Sequence, residues 1–170
     1  MILDKNLVFD GDGTTPAAIT VTRASTNVID LGDAREMSIG ERLAVTVIGN
    51  GLFAAAGAAT LVVAVEGSVD NAAWTVYAQT PALAIATLNS RVVGGQPYVI
   101  AWSMPARQPG AARPRYIRLN YTVATGPFTA GAVHAFLNLG VDQQDLVTLG
   151  FEVGLGHDLP AAEGFVFAGF

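Results

Sequence analysis

The sequence predicts an all-β protein, a jelly roll or antiparallel β-sandwich with extended terminal arms, and three observations predict it. First, Arg115 to Leu139 reads as two arms of alternating character. Ile117, Leu119, Tyr121 and Val123 fall on one side and Tyr116, Arg118, Asn120 and Thr122 on the other; Val133, Ala135, Leu137 and Leu139 then alternate with His134 and Asn138. A side-chain period of 2 marks a strand with one buried face. Second, short apolar runs rich in β-branched residues recur at regular spacing along the chain, with turn chemistry between them and almost no helical period. Third, 170 residues suffice to bury one core, and with no cysteine the core holds without disulfide staples.

Taken in order, Met1 to Phe9 carries apolar residues at Ile2, Leu3, Leu7, Val8 and Phe9, enough for a short strand or for an arm laid on a neighbour. Asp10 to Pro16 is a turn by composition. Asp10, Asp12 and Gly13 resemble the start of a calcium loop, but the later ligands, above all a Glu at the twelfth position, are missing, so these aspartates read as turn formers. Ala18–Arg23 and Asn27–Leu31 are two short strands, and Gly32–Arg42, with mixed charges, is an exposed loop or a single helical turn.

Leu43 to Val65 carries no charge and is long enough to span a bilayer. Gly49, Gly51 and Gly57 interrupt it, and both ends alternate with β-branched residues. The reading is therefore a hairpin, Leu43–Ile48 and Thr60–Glu66, closed by an Ala/Gly-rich loop. Asp70-Asn71 makes a tight bend into Thr75–Thr80. Ala82–Leu88 is a further apolar run, Tyr98–Met104 a strand, and Pro105–Pro114 a loop too rich in Pro and Gly for regular structure. The arms at 115–123 and 133–139, with Gly126, Pro127 and Gly131 between them, are expected to form an antiparallel hairpin, the central pair of the sandwich. The expected domain is 1–139, with an N-terminal arm over about 1–16. Residues 140–170 form an acidic extension with Phe151, Phe165, Phe167 and Phe170 and no sustained period.

The net charge of −5 conceals an asymmetry. No acid lies between Asp70 and Asp142, where Arg91, Arg107, Arg113, Arg115 and Arg118 fall; beyond Leu139 there are five acids and no Lys or Arg. The acidic end either pairs with the basic middle of the same molecule or draws together copies or partners. Charged residues make up only 14% of the chain and apolar ones 51%, which fits a subunit whose surface is covered by others. The N-terminus is too short and too charged for a signal peptide.

Chemistry is sparse. His134 and His157 stand apart with no carboxylates at metal-ligand spacing, and there is no nucleophile elbow, P-loop or dinucleotide glycine pattern. No catalytic, cofactor or metal site is expected, and the protein is expected not to be an enzyme. The polar feature that remains is the arginine group Arg107, Arg113, Arg115 and Arg118. Overall acidity and scarce lysine weigh against nucleic acid; the open readings are pairing with carboxylates of a protein neighbour, which suits the planar guanidinium, or solvated surface charge. Trp74, Tyr77, Tyr98 and Trp102 suggest a different class, a carbohydrate-binding sandwich with a stacking platform, unless they fill the core.

In their order and spacing, MILD at the start, STNVIDLG (25–32), SVDNAAW (68–74), RYIRLNYTV (115–123) and GPFTAGAVHAFL (126–137) together resemble the cement, or decoration, protein of tailed-bacteriophage heads of the Bordetella-phage type. The resemblance runs from Met1 to Leu139 and leaves the extension uncovered. It implies a jelly roll, a dimer or trimer seated on a capsid symmetry axis, and non-covalent clamping of neighbouring major capsid protein subunits on the outside of the virion, after synthesis in the bacterial cytoplasm, with neither nucleic acid nor membrane as partner. The expected protein-contact residues are Ile2, Leu3, Leu7 and Phe9 of the arm and the arginines 107, 113, 115 and 118, together with Phe165, Phe167 and Phe170 of the extension, whose aromatic clustering, rather than the resemblance, points to docking.

Overall fold

The computed structural model describes residues 5–36, 43–90, 98–104 and 112–139, with Leu139 described by its backbone alone. After a 3-10 turn at Lys5–Leu7 come strands β1 (Val8–Asp10), β2 (Ala17–Ala18), β3 (Arg23–Ala24), β4 (Ile29–Asp30), β5 (Leu43–Ala55), β6 (Thr60–Ser68), β7 (Thr75–Gln79) and β8 (Leu83–Ala84). A helical turn α1 (Ile85–Leu88) follows, then β9 (Val99–Ser103), β10 (Tyr116–Ala124) and β11 (Phe128–Leu139). All pairings are antiparallel.

One sheet has the order β1-β11-β5-β9, with β2 beside β1's position on β11; the other has β3-β10-β6-β7, with β4 also on β10 and β8 also on β6. With β1/β2, β3/β4 and β7/β8 each read as one interrupted strand position, the two sheets run 1-8-3-6 and 2-7-4-5. That interleaving is the jelly roll: consecutive strands alternate between sheets except at the 4–5 hairpin, and the first and last strands are neighbours. The residues that the sequence places inward do face one core: Ile117, Leu119 and Tyr121 from β10 meet Val133, Ala135 and Leu137 from β11, Val45 and Val47 from β5, and Leu61, Val63 and Val65 from β6.

The expected hairpins are corrected. β10 and β11 do not pair with each other: β10 pairs with β6 from Tyr116↔Ser68 to Ala124↔Thr60, and β11 pairs with β5 from Phe128↔Ala55 to Leu139↔Leu43. Likewise β5 and β6 belong to different sheets. Both connections cross from one sheet to the other, stacked side by side. Each arm has one apolar face, and turning the two faces toward each other across the sandwich buries both, which an edge-to-edge hairpin cannot do alone. Thr125 (φ 63°) and Gly126 (φ 109°) take the left-handed conformations that reverse the chain at the β10–β11 crossing.

Two further differences concern length. β5 continues through the glycines to Ala55, where the sequence suggests a loop. Between Asn50↔Ala132 and Ala54↔Ala130 it carries more residues than its partner, so the pair is bulged. The bulge leaves Leu52 exposed and turns Phe53 inward, edge-on to Phe128 with centroids 5.5 Å apart. The apolar run at 82–88 is divided between β8 and α1, and Leu88 enters the core. No helix among the described residues is long and apolar enough to cross a membrane.

Candidate interaction surface

The arginine group is built on β10 and the residues just before it. Alternation puts Arg118 on the outer face, directly across from Glu66 of β6. Its Nε donates to Glu66 Oε2 at 2.7 Å, and its guanidinium lies over the Trp74 ring at 4.0 Å. Trp74 arrives there because the β6–β7 turn folds tightly: Asn71 sits at φ 60°, and Asp70 Oδ1 accepts from the Ala72 and Ala73 N–H groups. Glu66 is thereby only 6% exposed, and its charge is met within the chain.

Arg115 precedes β10 and grips Asp30 of β4 with two parallel bonds, Nε to Oδ1 and a terminal nitrogen to Oδ2, each 2.9 Å. This fork geometry is the strong form of the ion pair, although both side chains are about two-fifths exposed and solvent screens it. The Arg115 bonds, aided by the Gly32 N–H, hold the Asp30 pKa below the usual carboxylate value, and Asp30 in turn raises that of Arg115. Arg115 also lies 5.0 Å from the Tyr116 ring centroid. Arg113 is exposed, and Arg107 lies outside the described residues.

Of the arginines expected at a partner surface, then, Arg115 and Arg118 are engaged by this chain's own Asp30 and Glu66. The sequence offered a signal for this. Glu66 stands in a long apolar strand with no other charge, and a carboxylate there needs a cation across the ladder.

The arm residues are also relocated. Phe9 is completely buried in the chain's own core, with β1 paired to β11, so it is not the arm contact expected from the sequence. Leu7 is half-buried against the same core. Ile2, Leu3, Phe165, Phe167 and Phe170 lie outside the described residues.

A latch missed by sequence reasoning lies beside β1. Asp10, expected only as a turn former, is buried; its Oδ1 accepts from an Arg23 terminal nitrogen at 3.0 Å, the Thr26 hydroxyl at 2.7 Å and the Thr26 N–H at 3.1 Å. Arg23 also stacks 5.1 Å from the Tyr121 ring centroid. As β1 and β3 belong to opposite sheets, the Asp10–Arg23 pair ties the sheets together. Burial, then the nearby Asp10 charge, pushes the Tyr121 phenol well above its ordinary pKa. Asp12 accepts from the N–H groups of Thr14 and Thr15 and so closes the turn.

The four aromatics of the sugar-platform reading are divided between the sheets. Trp74 and Tyr77 border β6, whereas Tyr98 and Trp102 pack against the core from β9's side, and Arg118 covers a face of Trp74. A hollow of about 180 Å³ lies beside the β6–β7 turn, bordered by Ser68, Asp70, Thr75, Tyr77 and Ala112. Its carboxylate, Asp70, is already occupied by Ser68 and the turn amides. Among the described residues no three His, Asp or Glu side chains cluster as metal ligands do.

Comparison with known families matches residues 14–137 to the family Bbp16, covering most of the chain and nearly all of the sandwich. The chain belongs to the Bbp16 family. The family name derives from a Bordetella phage, and membership fits a phage protein. No curated protein matches the chain. The matched stretch begins after β1 and ends within β11, so it includes the Arg115–Asp30 and Arg118–Glu66 pairs.

Proposed function

We propose that this Bbp16-family protein is a non-enzymatic structural component of a phage virion, which binds the outer surface of the capsid and clamps neighbouring major capsid protein subunits. The observation that carries the reading is the family match across the jelly roll. A rigid sandwich suits the role. Its surface ion pairs hold strand positions in register, and a clamp repeated over a shell stabilises it through many modest contacts at high local concentration. Self-association as a dimer or trimer on a capsid symmetry axis belongs to the same proposal.

The test is to mix purified protein with undecorated phage heads, then measure bound copies by sedimentation and the temperature at which the heads rupture. Saturable binding with a raised rupture temperature is expected. No binding at any concentration overturns the reading. Arg113 is the arginine to change first: it is exposed, and among the described residues the carboxylates in ion pairs are held by Arg23, Arg115 and Arg118. Arg113→Glu is expected to lower occupancy, with an effect that shrinks as salt rises.

A further inference from the structure

Of the seven asparagines in the chain, Asn50 is the one followed by glycine. An asparagine side-chain carbonyl carbon lies one five-membered ring closure away from the backbone nitrogen of the next residue. A side chain on that next residue obstructs the closure, and glycine has none. Whether such a pair reacts in a folded protein depends on the backbone, because a regular ladder holds the two groups apart. Asn50 stands opposite Ala132, and the register resumes at Ala54↔Ala130, so Gly51, Leu52 and Phe53 lie in the bulge of β5. Both Asn50 and Gly51 are exposed. Gly51 takes φ 76°, a left-handed conformation outside the extended ladder, and nothing lies within 4 Å of the point where a side chain would begin.

Other asparagines are held where Asn50 is open. Asn89 precedes Ser90, and both ends of its amide are bound to the Phe53 backbone. Asn138 accepts from the Thr46 hydroxyl, and Asn27 donates through Nδ2 to the Val8 carbonyl. Asn120 sits in the regular β10–β6 ladder opposite Ala64, with the bulky Tyr121 after it. Asn71 is exposed in the β6–β7 turn, but the residue after it is Ala72, whose methyl group obstructs ring closure. The surroundings of Asn50 matter as well. Neither β5 nor its neighbour β11 carries an Asp, Glu, Lys or Arg, so a carboxylate at position 50 would be the first on either strand.

We propose that Asn50–Gly51 is a site of spontaneous covalent modification in the folded protein, at which Asn50 deamidates to a mixture of aspartate and isoaspartate. Hydroxide removes the proton of the Gly51 amide, and the nitrogen attacks Asn50 Cγ. The N–Cγ bond forms and the Cγ–Nδ2 bond breaks; the side-chain nitrogen takes a proton from water and leaves as ammonia, and a succinimide ring remains. One water molecule then opens the ring. Addition at Cγ returns aspartate on the original backbone, whereas addition at the Asn50 backbone carbonyl gives isoaspartate, with the main chain running through Cγ. Nothing is oxidised or reduced. Either product replaces a neutral amide by a carboxylate two residues from Leu52, which is 59% exposed. Isoaspartate also lengthens the main chain by one methylene, at a bulge where β5 already carries more residues than β11.

The experiment incubates the purified, folded full-length chain at a series of neutral to mildly alkaline pH values. Tandem mass spectrometry follows the conversion of each asparagine to acid, and enzymatic methylation of isoaspartyl carboxylates counts the rearranged product. Conversion at Asn50 is expected to run severalfold faster than at any other asparagine and to rise with pH. It is expected to yield isoaspartate and an acidic species on ion exchange. Asn50→Gln, which keeps a neutral amide but must close a six-membered ring, is expected to abolish that species. A parallel incubation in urea supplies the behaviour of the unfolded chain. Conversion of Asn50 in urea but not in the folded protein would mean that the strand protects the pair, and overturns the proposal. Faster conversion at another asparagine in the folded chain overturns it too, as does an acidic species that persists in Asn50→Gln. The reaction needs neither capsid nor partner, so its outcome is independent of the proposed function.

Discussion

Single residues show how little freedom the sandwich has where strands crowd. Gly131 sits at φ 145°, and a Cβ built there would fall 2.3 Å from the Phe53 ring, which is itself fixed edge-on to Phe128. Gly131→Ala must therefore move a buried aromatic and hold alanine in a conformation it rarely adopts. The expected loss is about 1–3 kcal/mol of stability from overpacking alone, read as a lower denaturant midpoint; a midpoint equal to wild type would mean that Phe53 relocates freely. Arg118 gives a second case. Its removal strips a nearly buried Glu66 of its ion-pair partner and uncovers Trp74. Arg118→Ala is expected to cost about 1.5–3 kcal/mol, the range for hydrogen bonds to charged groups. Glu66→Gln combined with Arg118→Met should recover part of that loss, because the stranded charge is gone. Measuring both variants by urea unfolding separates the cost of an unpaired carboxylate from the worth of the pair.

At the scale of elements, the bulge in β5 depends on one side chain from outside the sheet. Asn89, just after α1, accepts from the Phe53 N–H at 2.9 Å and donates to the Phe53 carbonyl at 2.8 Å, standing in for the strand neighbour that the bulge removes. Asn89→Ala leaves both groups without that partner beside a buried phenylalanine. An expected cost of about 1–3 kcal/mol should come with faster amide exchange at Phe53, while exchange in the β10–β6 ladder stays as it was. The same region marks the limit of what the sequence discloses. Alternation in 115–139 identifies which side chains of β10 and β11 face the core, because burial is a property of each strand's own face. It does not identify each strand's neighbour. A Gly/Pro connection such as ATGPFT serves a hairpin or a crossing between sheets equally, and here the crossing prevails. Pairing in the jelly roll is set by partners far apart in sequence, β5 with β11 and β6 with β10, and no local pattern encodes them. The arginines were legible as polar outliers, but their partners were not, since Asp30 and Glu66 reach them only through that long-range register.

For the molecule as a whole, the titratable groups define a pH window of stability. Asp12 and Asp70, through turn amides, and Asp30, chiefly through Arg115, all have folded pKa values below the ordinary one. Their contribution is fully present above the unfolded carboxylate value of about 4 and is lost as pH falls through the lower folded values. Tyr121 acts at the other end. Its folded pKa is raised, first by burial and then by Asp10, so stability is whole below the unfolded phenol value of about 10. Above that pH the unfolded chain ionises while the folded phenol does not, and stability declines toward the folded value. The urea midpoint is therefore expected to be flat near neutrality and to fall on both sides. Among the described residues the acid limb comes from three exposed carboxylates, so it should be shallow and only slightly flattened in Asp30→Asn. The alkaline limb comes from one buried group at the junction of the two sheets, beside the Asp10–Arg23 latch, and Tyr121→Phe should flatten it markedly. An alkaline limb as steep in Tyr121→Phe as in wild type would assign it to other tyrosines and detach the phenol from the latch. The outcome bears on how the sheets are held together, because Tyr121 can resist ionisation only while the strands carrying Asp10 and Arg23 keep water from its hydroxyl.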